Sequence, residues 1–192
     1  TMWLSYNVQT ECLLDGAAGQ VPALSVMPAW ATAEEPCPLG GQAFIAISSE
    51  RSSFVVAVEP SVKVIFKWAR PAGIRGDGTE SFLPCLAWGW ALLKEGGAAT
   101  LPVLARGWGS TIELLQATFK TEPSGGEPAP TFEVRGFIQV AEAVSAVAWL
   151  GTHILGYFTV SKGLHILDTL SMGELAVLDL SSVGLVAATY IR

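Results

Sequence analysis

The stretch "SAVAWLGTHILGYFTVSKGLHILDT", residues 145–169, is apolar at both ends and crosses its middle through Ser161, Lys162 and Gly163, with His153 and His165 on either side. Its apolar runs are short, rich in β-branched and aromatic residues and bounded by turn formers, which is how strands read. One strand closes at Trp149, "THILGYFTV" is the next, Ser161-Lys162-Gly163 turns the chain, and "LHILD" returns. Carried on to residue 180, the sequence adds a second turn and a third strand ending in "ELAVLDL".

The same phrase recurs upstream, as "FIAISSERSSFVVAVEPSVKVIFKW" over 44–68 and as "PVLARGWGSTIELLQATF" with "TFEVRGF" over 102–137. Each copy follows a further apolar segment carrying an Ala-Trp pair: Ala29-Trp30, Ala87-Trp88 and Ala148-Trp149. Two stretches, "PCLAWGWALLKE" and "RGFIQVAEAVSAVAWL", are long enough for helices but are read as strands joined to turns. Four antiparallel strands per unit, repeated at intervals of roughly 40 to 60 residues, is the pattern of propeller blades.

Burial gives the physical reason, because stacking blade on blade covers both faces of each sheet and allows strands more continuously apolar than a sheet with one wet face. The recurrent Trp would then be a wedge between blades. Residues 2–14 and 183–191 look like parts of flanking blades. A closed propeller has about four to eight blades. The expectation is therefore an all-β, partial WD40-like β-propeller with about three whole four-stranded blades, residues 1–192 forming a single incomplete segment of a longer protein. Gly-, Pro- and acid-rich loops at 31–42, 70–81, 94–100 and 121–130 punctuate it.

Composition narrows the function. With 15% charged and 51% apolar residues the 192-residue chain is expected to bury a core. A net charge of -6 and eleven scattered Lys and Arg argue against nucleic-acid binding. The longest apolar run, "FLPCLAWGWALL" at 82–93, falls short of the roughly 20 residues of a membrane span and contains Pro and Gly. No secretory signal is read at the start of the chain. Cys12, Cys37 and Cys85 are odd in number and without a C-x-x-C pair, so no disulfide framework or zinc site is expected, and a reducing compartment fits.

No residue set meets the demands of catalysis or of a cofactor. His153 and His165 have no His/Cys/Asp partner at ligand spacing, so they read as turn and strand residues. "GWGST" at 107–111 lacks the spacing of a nucleophile elbow, and "GIRGDG" lacks the lysine and the strand-to-helix setting of a phosphate loop. The Arg75-Gly76-Asp77 tripeptide is too short to signal adhesion by itself. Glu34, Glu35, Asp15, Asp77, Asp168 and Asp179 fall at turns and strand ends, where acids bond their own backbone. Most of the seven Trp lie in apolar runs, but Trp108, between Gly107 and Gly109, is expected to be partly exposed and to serve as a contact.

The stretch from Val147 to Asp168 resembles the propeller of the vacuolar protein sorting-associated protein eight family, in which an aliphatic-x-Trp-aliphatic strand leads to a turn, an aliphatic strand and a "LHVID"-like strand. Those positions here are Val147, Trp149 and Leu150, then Ile154 and Leu155, then Leu164, His165, Ile166, Leu167 and Asp168. "LPCLAWGWALL" with "LPVLARGWGSTIELL", through Trp88, and "FVVAVEPSVKVIFKWARP" are similar in the same order. The resemblance makes Trp88, Trp149, Leu164, His165 and Asp168 structural signature positions. It implies the N-terminal propeller of an endosomal tethering subunit of the CORVET complex, cytoplasmic and peripheral on endosomal membranes, meeting an early-endosomal Rab GTPase and other tethering subunits. The resulting expectation is a protein-interaction module without catalysis or cofactor. The alternatives are a generic propeller scaffold with unrelated partners and a propeller enzyme with a central site.

Overall fold

The structure, a computed structural model, describes residues 23–27, 43–49, 51–58, 62–71, 83–91, 101–120, 129–161 and 163–180. The flanking segments 2–14 and 183–191, Ala29-Trp30, the loops at 31–42 and 94–100, and Arg75-Gly76-Asp77 lie outside the described residues. The described residues form twelve strands and no helix. In chain order they are β1 (Ala23–Val26), β2 (Phe44–Ser48), β3 (Ser52–Ala57), β4 (Lys63–Ala69), β5 (Cys85–Ala91), β6 (Leu101–Trp108), β7 (Thr111–Lys120), β8 (Ala129–Gln139), β9 (Val144–Trp149), β10 (Ile154–Thr159), β11 (Gly163–Asp168) and β12 (Gly173–Asp179).

They make three sheets, β1 to β4, β5 to β8 and β9 to β12, each an antiparallel meander whose spatial order follows the chain. Of the two stretches long enough for helices, "RGFIQVAEAVSAVAWL" supplies the end of β8, a turn and β9, and the described residues of "PCLAWGWALLKE" supply β5. β1 lies against β5, and β5 against β9, so the sheets meet along their first strands.

The last strand of each sheet carries the same irregularity. Val55 and Val56 pair with Phe66 and Val64, leaving Ile65 unmatched. Leu114 and Leu115 pair with Gly136 and Val134 around Arg135, and Ile166 and Leu167 with Ala176 and Glu174 around Leu175. A bulge at this point twists the outer edge away from flat pairing with another chain.

Alternation within the strands sends side chains to two seams. Phe44, Ala46, Val55 and Ala57 of the first sheet meet Trp88, Leu104, Leu115, Ala117 and Phe132 of the second. Phe132 anchors that seam edge-on to Phe44 at 6.3 Å and to Trp88 at 5.8 Å between ring centroids. On the other face of the second sheet, Val103, Ala105, Ile112 and Leu114 meet Val144, Leu155, Tyr157 and Leu167 of the third. The middle sheet is covered on both sides, and "PVLARG" is accordingly apolar at nearly every position rather than at alternate ones.

One ion pair sits inside the first seam. Arg106, 1% exposed, directs its Nε at 2.7 Å and its Nη2 to Glu113 Oε2 across the β6–β7 pair. Its Nη1 donates to Ser53 Oγ at 2.9 Å and Ala69 O at 3.1 Å in the first sheet. Burial lowers the Arg106 pKa, and the Glu113 charge opposes that shift.

Candidate functional site

The tryptophans on the first strands join neighbouring sheets. Trp88 on β5 donates its indole N–H to Ser25 O on β1 at 3.0 Å, and Trp149 on β9 repeats the contact one sheet on, to Ala87 O on β5 at 3.1 Å. The Trp149 indole lies so close over Gly89 that a Cβ there would overlap the ring atoms. Glycine is required at that position by close approach of a side chain to the backbone. Around these rings, with Leu86, Val147 and Leu150, opens a cleft of about 580 Å³.

Trp108 departs from expectation, being 1% exposed rather than partly open. The turn after it consists only of Gly109, in the left-handed region at φ 55°, and Ser110, so Trp108 remains in the ladder opposite Thr111. Its ring faces the first sheet, with the Arg106 guanidinium 5.4 Å and the Arg70 guanidinium 5.7 Å from the ring centroid. A large buried ring beside two cations is a packing element, not an accessible contact.

The remaining signature positions lie on the third sheet. Leu164 is half-buried and pairs with Phe158 and Leu178. Asp168 closes β11 and shapes the turn to β12, where its Oδ1 accepts the Leu170 N–H at 3.0 Å and its Oδ2 the Ser171 hydroxyl at 2.7 Å. The Leu170 N–H, then the Ser171 hydroxyl, hold the Asp168 carboxyl below its ordinary pKa. Met172 completes this turn at φ 58°. His153 belongs to the turn before β10, where its carbonyl accepts the Thr169 N–H at 2.8 Å and the Thr169 hydroxyl at 3.0 Å.

His165 enters a polar cluster that linear spacing conceals. Its ring stacks on Tyr157, directly opposite in the β10–β11 ladder, with centroids 4.7 Å apart and planes 9° from parallel. His165 Nδ1 lies 2.8 Å from Glu174 Oε2, which also accepts the Tyr157 hydroxyl at 3.2 Å. Burial, then the bond to Glu174, pushes the Tyr157 pKa up to about 12. From the β8–β9 connection comes Glu142, whose carboxyl is held below its usual range chiefly by the Ser161 hydroxyl and also by the His165 charge. These groups, with Ile138, Leu167 and Met172, border a cleft of about 390 Å³ at the second seam.

His153 and His165 thus border different recesses. Glu34, Glu35, Asp15 and Asp77 lie outside the described residues. Among the described residues no three His, Cys, Asp or Glu side chains are placed to hold a metal ion. Cys85 is a free thiol, and burial raises its pKa to about 12. No helix among the described residues is long and apolar enough to cross a membrane.

Three four-stranded antiparallel meanders, meeting along their first strands and covering one another's faces, define a β-propeller protein. The chain belongs to the Vps8 beta-propeller family, whose pattern it matches over residues 1–191. It is similar to the vacuolar protein sorting-associated protein 8 homolog of Drosophila melanogaster, with 26% identity over 180 residues, which covers 93% of this chain and 14% of the relative. Among solved structures it is similar to a chain of apo Chaetomium thermophilum Polycomb Repressive Complex 2 in an autoinhibited state, with a TM-score of 0.48, 11% identity, and 82% of this chain and 30% of that chain covered. A chain of the humanized mutant of that complex bound to the inhibitor GSK343 gives a TM-score of 0.49 at 10% identity, covering 82% of this chain and 31% of that one.

Proposed function

We propose that this propeller is a protein-interaction module of a vesicle-tethering subunit and supports Rab-dependent endosomal and vacuolar trafficking by binding rather than by catalysis. The family match over residues 1–191 carries the reading, and the vacuolar protein sorting name of the relative supports it. On this reading the chain is one segment of a longer subunit, works in the cytoplasm at the surface of endosomes, and meets an early-endosomal Rab GTPase together with other subunits of a CORVET-type complex. The surface available for this is formed by sheet rims and seams bridged by the Trp88 and Trp149 contacts.

A nucleotide-dependent pull-down tests it. The full-length subunit should retain an early-endosomal Rab loaded with a GTP analogue and release it with GDP, because the γ-phosphate orders the switch segments that an effector reads. Equal retention in both states would defeat the Rab reading.

A further inference from the structure

The outer face of the third sheet repeats a face that is covered one sheet earlier. In the second sheet Val103, Ala105, Ile112 and Leu114 are buried beneath the third. Strand pairing puts Ile154, Gly156, Leu164 and Ile166 at the same places on β10 and β11: Gly156 pairs with Ala148 and Ile166 as Ala105 pairs with Ala87 and Leu114. Yet Ile154, Leu164 and Ile166 are only half-buried, and on the same face Leu150 is 57% and Leu178 50% exposed. An apolar face of this extent is built to be covered.

We propose that residues 183–188 of this chain cover it, as the first strand of a further sheet. They lie outside the described residues, and three observations favour them as the occupant. First, "VGLVAA" at 183–188 keeps Val, Val and Ala where they stand in "VSAVAW" at 144–149, which is β9, the strand that covers the second sheet. Second, Val144 follows the end of β8 at Gln139 after Val140–Ala143, and Val183 follows the end of β12 at Asp179 after Leu180–Ser182, so the connections are alike in length. Third, the side-chain volumes match. In the second seam Trp149 lies on Gly89. The place of Gly89 is taken on the third sheet by Leu150, which bonds Ile154 O one step beyond the Ala148–Gly156 and Trp149–Leu155 pairs, and the place of Trp149 is taken in the repeat by Ala188. A large residue stands where the glycine was and a small one where the indole was, so the seam can still be filled. The inference goes beyond the interaction-module reading and narrows it, because a face closed within the chain is not a partner surface.

Side chains at positions 89 and 149 touch, so cysteines at the equivalent positions 150 and 188 should lie within disulfide reach. In the full-length subunit L150C/A188C should give, on mild oxidation, a linked peptide in non-reduced mass maps. L150C/T189C, with the neighbouring side chain on the opposite face of the strand, should not. No link in L150C/A188C, equal linkage in both pairs, or a link found only in a covalent dimer, as a second copy on this face would give, would overturn the proposal. Should the cysteine variants fail to fold, the exchange of sizes is read separately. A188W should lower the midpoint of urea unfolding, and L150G/A188W, which recreates the Gly89–Trp149 pairing, should recover part of the loss. Losses of L150G and A188W that simply add in the double variant would overturn it as well. Neither experiment depends on nucleotide-selective Rab retention, so the two readings fail separately.

Discussion

Replacing Glu113 by alanine would leave the Arg106 guanidinium buried with only Ser53 Oγ and Ala69 O as acceptors. An uncompensated buried charge costs about 3–5 kcal/mol, so Glu113→Ala should lower the unfolding free energy by about that amount in urea titrations. R106L/E113L should cost less than E113A, since removing both charges removes the desolvation penalty as well; a double variant weaker than E113A would refute the interpretation. At Gly89 a methyl group meets the Trp149 indole, so Gly89→Ala should destabilise by about 1–3 kcal/mol through overpacking. Cys85 should resist alkylation at neutral pH, because its thiol is buried and its pKa is pushed up to about 12. Labelling should appear only with denaturant, read by mass spectrometry of the Cys85 peptide, and rapid labelling of the native protein would contradict the burial.

At the scale of the element, the β11–β12 turn depends on an ionised Asp168. The folded pKa of this carboxyl lies below its ordinary value of 3.8. A depressed acid contributes stability above its unfolded pKa, and that contribution is lost as pH falls through the folded value. Protection of the Leu170 amide should therefore persist through neutral pH and fade only below the ordinary carboxylate value. In Asp168→Asn the pH dependence should flatten, as followed by NMR hydrogen exchange; an unchanged profile would show that another group controls the turn. The β6–β7 hairpin shows how much of an element is open to inspection in one dimension. Once Gly109–Ser110 is taken as a two-residue turn, Trp108 falls opposite Thr111 and Arg106 opposite Glu113. The Arg106–Glu113 pair was therefore readable from the sequence, whereas taking the flanking Gly107 and Gly109 as a sign that Trp108 is partly exposed misplaced it.

Over the whole molecule, the sheets are coupled by repeated contacts between first strands. Trp149→Phe keeps an aromatic ring but deletes the bond to Ala87 O, which should cost about 1 kcal/mol. Trp149→Ala also empties the wedge and should cost about 3–5 kcal/mol. If the wedge couples sheets, hydrogen exchange in Trp149→Ala should rise in β5 as well as in β9. A rise confined to β9 would mean that the sheets are stabilised independently.

The strand-turn-strand phrase, its three copies and the recurrent Ala-Trp pair determined the all-β class and four-stranded units, because side-chain alternation and turn chemistry are local properties. Which face of each strand is covered, and by what, was decided only in three dimensions. Neither the first sheet closing over Trp108 nor the meeting of Tyr157, His165, Glu174 and Glu142 can be seen in linear spacing. These residues come from β6, β10, β11, β12 and the β8–β9 connection, and only sheet packing sets their distances. The stretch from 145 to 169 thus established the strands, while the stacking of sheets turned its second histidine from a strand residue into the wall of a cleft.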